Sequence, residues 1–269
     1  MMPKRNFALP FNQLPSLGQP PASPVINPAE AARTLHARTT RRPHVEDDWR
    51  ARPTVRHPYP VVLIHGTGDD NNCWFKLAPQ LRNSGYCVFA PNYGNFGVDA
   101  LEDNADQVAA YCDAVLTITG AEALILIGHS QGGLLARHYA LHNPTQVKHV
   151  IAVAATNQRT TVADMIKDTA LGEQILTDFF GLAGWEQIAG STFYEELATF
   201  TELPDSLGYT CIASRTDGTV VPPEHCFLPG ADNLWVQDAY PKSRVPHTQM
   251  PLDRHVRHMI MKALRHARI

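Results

Sequence analysis

Ala123-Leu124-Ile125-Leu126-Ile127-Gly128-His129-Ser130-Gln131-Gly132 joins an apolar run to a helix-like stretch, residues 133–140, through a tight turn with a serine at its apex. Strand, turn and helix in that order are the only local plan that suits all three parts. The glycines flanking the G-x-S-x-G core are what a cramped turn requires, because side chains there would collide. Such a turn lifts the Ser130 hydroxyl clear of a sheet. It also aims the following helix N-terminus at any oxygen that becomes negative beside it.

Working outward, strands and helices alternate from Tyr59 onward. Residues 60–64 form a continuous apolar run, the pattern of a parallel strand buried on both faces. Residues 73–83 read as a helix ended by Gly85, and 86–90 as a strand closed by Pro91. A long helix is expected over 100–118, with acidic residues in its first turns and Gly120 past its end. Further strands are expected at 147–155, 209–214 and 233–237. A closing helix over 252–267 places Leu252, Val256, Met259, Ile260 and Ala263 on one face. This alternation predicts an α/β fold: a mainly parallel sheet flanked by helices, with the loops that follow the strands gathered on one rim.

One interval breaks the alternation. Residues 156–208 hold no obvious buried strand, only helical pieces at 169–180 and 195–200 around a glycine break at 181–184. An insertion at this rim would cap the serine. Its apolar residues Ile175, Leu176, Phe179, Phe180, Leu182, Trp185 and Ile188 serve two readings, packing onto the core and an acyl-binding wall.

Residues 1–57 differ from the remainder, with recurring prolines and few β-branched runs, and read as an extended arm, lying on the domain of residues 58–269 or partly disordered; the alternative is a tail that covers the active-site mouth or mediates assembly. A short helix over 27–33 would be capped by Asn27. Prolines and polar residues interrupt any apolar core in the first residues, so a cytoplasmic location is expected over a secretory one. No run reaches the length of about eighteen apolar residues that a membrane span needs. The net charge of -3 gives nucleic acid no electrostatic handle. Five cysteines, with Cys87 in a strand and Cys112 in a helix, predict buried free thiols; the alternative is a single Cys211–Cys226 pair.

A serine hydroxyl needs a base within hydrogen-bond reach and a carboxylate to orient that base. Asp217 directly follows the strand at 209–214 in a Thr-Asp-Gly turn, and is preferred over Asp205, Asp232 and Asp238. His247 lies after the last strand and before the final helix, which suits the base. His225 is too near Asp217, and His129 reads as a packing residue of the turn. His255, His258 and His266 fall on a basic helix face with no carboxylate or cysteine converging on them, so no metal is expected there. Two backbone N–H donors should face the oxyanion: Gln131, and Thr67 of His65-Gly66-Thr67-Gly68. The latter loop lacks the Lys-Ser/Thr ending of a phosphate loop.

These residues resemble the α/β-hydrolase superfamily, and within it the class 2, actinobacterial-type triacylglycerol lipases to which yeast lipase B is also similar. The resemblance runs from about Tyr59 to the C-terminus. It rests on Val62-Leu63-Ile64-His65-Gly66-Thr67-Gly68, Gly128-His129-Ser130-Gln131-Gly132-Gly133, Gln187-Ile188-Ala189-Gly190-Ser191-Thr192-Phe193, Ala213-Ser214-Arg215-Thr216-Asp217-Gly218-Thr219-Val220-Val221-Pro222-Pro223, and His247. It implies carboxylic ester hydrolysis by Ser130, Asp217 and His247, with Thr67 and Gln131 as the oxyanion hole and no metal or organic cofactor. The single residue after His-Gly resembles the subgroup favouring medium to long acyl chains. The partners implied are a small-molecule or lipid ester and a transient lipid interface. An acyltransferase or thioesterase would use the same triad, and a non-catalytic ligand-binding protein would use the same pocket. Halide or epoxide cleavage would want a carboxylate where Ser130 stands.

Overall fold

In the computed structural model, which describes residues 45–162 and 170–266, strands and helices alternate as the sequence predicts. The order is β1 (Val61–Ile64), α1 (Leu77–Asn83), β2 (Val88–Phe89), α2 (Leu101–Thr119), β3 (Leu124–His129), α3 (Gln131–His142) and β4 (Val147–Val153). Then follow α4 (Ala170–Ala189), α5 (Thr192–Ala198), β5 (Gly208–Ala213), β6 (Asp232–Trp235) and α6 (Arg254–His266). The strands form one sheet in the order β2-β1-β3-β4-β5-β6, and every pairing is parallel.

Alternate residues of the central strands feed two separate cores, as the two-residue period of a strand dictates. Val62, Ile64, Leu124 and Leu126 pack with Leu101, Val108 and Val115 of α2 and Leu134 and Leu135 of α3. Val61, Leu63, Ile125 and Ile127 pack on the other face with Leu77 and Leu81 of α1 and Val256 and Ile260 of α6. Gly120 ends α2 in the left-handed conformation at φ 67°, the role its position predicts. α3 lies almost in contact with the sheet. A Cβ at Gly132 would stand 2.2 Å from the Ile64 carbonyl oxygen, and one at Gly128 would stand 2.2 Å from the Gly132 carbonyl.

Several boundaries differ from expectation, and three of them lie at the edges of the sheet. The helix expected over 73–83 is split, because the Asp70 carboxylate accepts from the Asn72 amide at 2.9 Å and caps a separate 3-10 turn, Asn71–Trp74. Asn71 Nδ2 then donates to the carbonyls of Val45 and Ala90, which pins that turn to the sheet edge. The strand at 86–90 shortens to two residues, since the Ala90 amide donates at 2.8 Å to Asp47 Oδ1 and not to a neighbouring strand. The last strand stops at Trp235, and Val236–Ala239 is a helical turn.

The described part of the insertion holds no strand: its regular elements are α4 and α5, with irregular segments at 156–162 and 199–207. α4 bends at Gly181 (φ 66°), where a Cβ would meet the Val98 carbonyl oxygen at 2.3 Å. Ala183 and Ile188 are buried, whereas Phe180 and Leu182 are 39% and 53% exposed, so core packing and an apolar outer surface fall to different residues. The side chains of Ile175, Leu176 and Phe179 lie outside the described residues, as does the helix expected over 27–33. Part of the arm is described. Val45 is buried, Trp49 packs against Phe89 and Tyr111 at ring separations of 5.1 and 5.5 Å, and the Tyr111 hydroxyl donates to Asp47. All five cysteines are buried thiols outside any disulfide, Cys211 and Cys226 among them. No described helix is long and apolar enough to cross a membrane.

The tight seat of α3 is testable. Gly132→Ala should destabilise the chain by about 3 kcal/mol, the upper range for overpacking. Gly218→Ala, whose Cβ would meet nothing within 4 Å, should leave the thermal midpoint nearly unchanged.

Candidate active site

Ser130 occupies φ 53° and ψ -126°, a backbone conformation that costs an ordinary residue on the order of 1–3 kcal/mol. The turn is held from both sides: the Ser130 amide donates to the Val153 carbonyl, and the Gly133 amide donates back to the Ser130 carbonyl, each at 2.9 Å. The hydroxyl therefore stands at the carboxyl end of the central strand β3, beside the loop that follows β1. A Cβ on Gly66 of that loop would lie 3.0 Å from Ser130 Cβ, so only glycine lets the two segments approach this closely.

Asp217 and His247 meet at the same rim. The Asp217 Oδ2 atom lies 2.7 Å from His247 Nδ1, and Oδ1 accepts from the amides of Thr219 and Val220 at 2.8 and 3.0 Å. Burial works against the Asp217 charge. The His247 hydrogen bond and charge, with the two amides, outweigh it and hold the carboxyl below its ordinary range. An ionised carboxylate can only accept, so a proton sits on His247 Nδ1, and in the uncharged ring Nε2 presents a lone pair. The loop carrying His247 is tied to the end of β5 by Ser214 Oγ, which donates to the Val245 carbonyl at 2.7 Å. The Ser130 hydroxyl itself has no hydrogen-bond partner among the described residues. His247 is nonetheless placed beside the turn, with its ring 4.8 Å from that of His129 and its carbonyl 3.1 Å from His129 Nε2.

The other sequence candidates separate from this pair. Asp205, Asp232 and Asp238 are exposed, and Asp238 pairs with Arg215 at 2.7 Å. His225 Nδ1 is spent on the Arg159 carbonyl, and the His255 ring stacks on Tyr240 at 4.0 Å. His129 is buried, which together with the neighbouring His247 pushes it down to about 3; it stays neutral and packs, as its position predicts.

Thr67 and Gln131 lie together, with their backbone amides unengaged among the described residues. The Gln131 side chain runs sideways: Nε2 donates to Thr67 Oγ1 and to the Gly97 carbonyl, both at 2.7 Å, while Oε1 accepts from Asn104 Nδ2 at 3.0 Å. Gln187 Nε2, from the cap helix α4, also donates to Thr67 Oγ1, at 3.0 Å. Both acceptor positions of the Thr67 hydroxyl are thus filled by amide donors, and its own proton is left to point elsewhere. Asn104, Gly97 and Ser214 are the members of this rim that sequence reasoning missed. Asn104 sits on the apolar side of a helix, where a lone buried amide (0% exposed) is the only cue. Glu186 of α4 closes the cap onto α2, its Oε2 accepting from the Leu101 amide at 2.7 Å.

With this geometry established, known proteins bear on it. A family model described as the alpha/beta hydrolase fold matches residues 59–187. The chain is 32% identical over 139 residues to a triacylglycerol lipase of Pseudarthrobacter phenanthrenivorans, covering 47% of this chain and 44% of that protein. It is also 32% identical to a triacylglycerol lipase of Burkholderia plantarii, covering 47% of this chain and 39% of that one. It therefore spans less than half the length of these curated relatives. The crystal structure of Aspergillus fumigatus lipase B superimposes with a TM-score of 0.65 at 16% identity, covering 83% of this chain and 55% of that chain, a likeness of fold. The parallel six-stranded sheet, the serine turn at its centre and the match over residues 59–187 agree: the chain has the alpha/beta hydrolase fold.

Proposed function

We propose that the chain is a serine carboxylic ester hydrolase, a lipase or esterase acting on medium to long acyl esters. Its triad is Ser130, His247 and Asp217, and the Thr67 and Gln131 amides form its oxyanion hole. The observation that carries the reading is the buried Asp217–His247 pair, 2.7 Å apart, beside a serine held at positive φ. The reading requires that rotation about the Ser130 side-chain torsion bring the hydroxyl to Nε2, a contact that commonly tightens only when substrate is bound.

Nε2 takes the Ser130 proton as Oγ attacks the ester carbonyl carbon, and the carbonyl oxygen becomes an anion facing the two amides. The Thr67 hydroxyl, its acceptor positions filled by Gln131 and Gln187, supplies a third donor. The tetrahedral intermediate collapses as imidazolium returns the proton to the departing alkoxide, which leaves as an alcohol. Water then enters by the same route: His247 removes its proton, hydroxide adds to the acyl carbon, and the carboxylic acid leaves as Ser130 regains its proton. Throughout, Asp217 stays ionised and holds the imidazole in one tautomer. The exposed Phe180 and Leu182 give the cap an apolar outer face suited to an acyl chain or a lipid surface.

A fluorophosphonate probe should label the wild type and not Ser130→Ala, with nitrophenyl ester turnover lost in parallel; equal labelling of both would defeat the assignment. Asp217→Asn should lower kcat by about 10⁴-fold, because the amide favours the wrong tautomer. Thr67→Val keeps the amide and shape but removes the hydroxyl, and should lower kcat by on the order of 10²-fold with little change in KM. The depressed Asp217 carboxyl also sets a pH dependence. Its stabilising contribution is full above the ordinary carboxylate range and is lost as pH falls through the lowered value. The stability advantage of wild type over Asp217→Asn should therefore shrink below about pH 4, as urea unfolding at stepped pH would read.

A further inference from the structure

His138 and His142 stand one turn apart on α3, the i and i+4 positions that share a helix face. Glu196 of α5 comes up against both. His142 Nε2 lies 2.9 Å from Glu196 Oε1, and His138 Nε2 lies 3.7 Å from Oε2. One nitrogen or oxygen from each of the three side chains falls within 4.8 Å of the others. The arrangement was invisible in the sequence, since Glu196 is 54 positions from His142.

The His142 ring is oriented by its own backbone. Nδ1 lies 2.9 Å from the His138 carbonyl oxygen, which can only accept, so the ring proton sits there. In the neutral ring, Nε2 then points a lone pair at a carboxylate oxygen. Two acceptors face each other, and a cation between them resolves the conflict. An imidazole that donates Nδ1–H to a carbonyl and offers Nε2 outward is the usual orientation of a metal-ligating histidine. The His138 ring is held in place by stacking on Phe193, 4.7 Å away, and by the His142 ring at 4.3 Å. Two imidazoles and one carboxylate favour a transition metal over Mg²⁺ or Ca²⁺, which want oxygen throughout. Ligand bonds of about 2.0–2.2 Å need only small side-chain rotations from the present spacing.

We propose that His138, His142 and Glu196 bind one Zn²⁺ ion, with water completing the tetrahedron, and that the ion ties cap helix α5 to α3, the helix that begins at Ser130. The seam is already close: Arg137 donates to the Leu197 carbonyl at 3.3 Å, and Phe193 is buried beneath it. The proposed site does not depend on the ester chemistry, and no step of that chemistry passes through it. The competing arrangement, a protonated His142 paired with Glu196, binds no metal and is an outcome of the test.

The experiment uses the full chain stripped with chelator and titrated with Zn²⁺, Co²⁺, Ca²⁺ and Mg²⁺. One equivalent of Zn²⁺ should bind saturably and raise the unfolding midpoint, and Co²⁺ should give the visible absorption of a four-coordinate site that Zn²⁺ displaces. His142→Asn and Glu196→Gln, both at exposed positions, should fold normally. Loss of an outer-shell partner alone costs about 10–100-fold in metal affinity, so loss of a ligand should weaken Zn²⁺ binding by at least about 100-fold. Glu196→Gln can still hydrogen-bond His142, which separates metal binding from local packing. Absence of saturable Zn²⁺ binding, equal affinity for Ca²⁺, or undiminished binding in both variants would overturn the proposal.

Discussion

The left-handed backbone of Ser130 is the constraint on which the proposed chemistry rests. A serine would not hold φ 53° by preference; it is held there because β3 lies at the centre of a parallel sheet and α3 is pressed against its neighbour. The close approach needs glycine at 128 and 132, where any Cβ would run into backbone. The core thus fixes the direction of one hydroxyl. Buried strands on either side, each feeding two helical layers, hold the turn against relaxation.

A second device is polar. The Gln131 and Gln187 amides converge on one threonine hydroxyl, and Asn104 orients Gln131 from behind. Each of the three amide NH₂ groups finds an acceptor, which holds the network in one arrangement, while the Asn104 Oδ1 atom has no partner among the described residues. Gln187 and Glu186 both come from α4. The insertion is therefore part of the wall around the Thr67 loop, and it is anchored to α2 as well.

Much of this was legible in the sequence because it follows from short-range rules. The parallel sheet followed from uninterrupted apolar runs alternating with helical periods. The serine turn followed from glycine spacing, and Asp217 and His247 from their positions after successive strands. What escaped was set by contacts between distant segments. The helix expected from residue 73 was cut by the Asp70 cap and by Asn71 reaching to Val45. The second strand was shortened because Asp47, 43 positions away, takes the amide that would have extended it. Asn104 gave only the weak cue of a lone amide on the apolar face of a helix, and its partner across the interface could not be read from the sequence.

The docked stretch at 45–57 alters where the folding unit begins. Asp47 satisfies the Ala90 amide and the Tyr111 hydroxyl, and Trp49 covers Phe89. Cutting the gene at the first strand would strip a sheet edge of its cover and strand two polar groups. A shortened version that keeps the edge sealed must start no later than Val45.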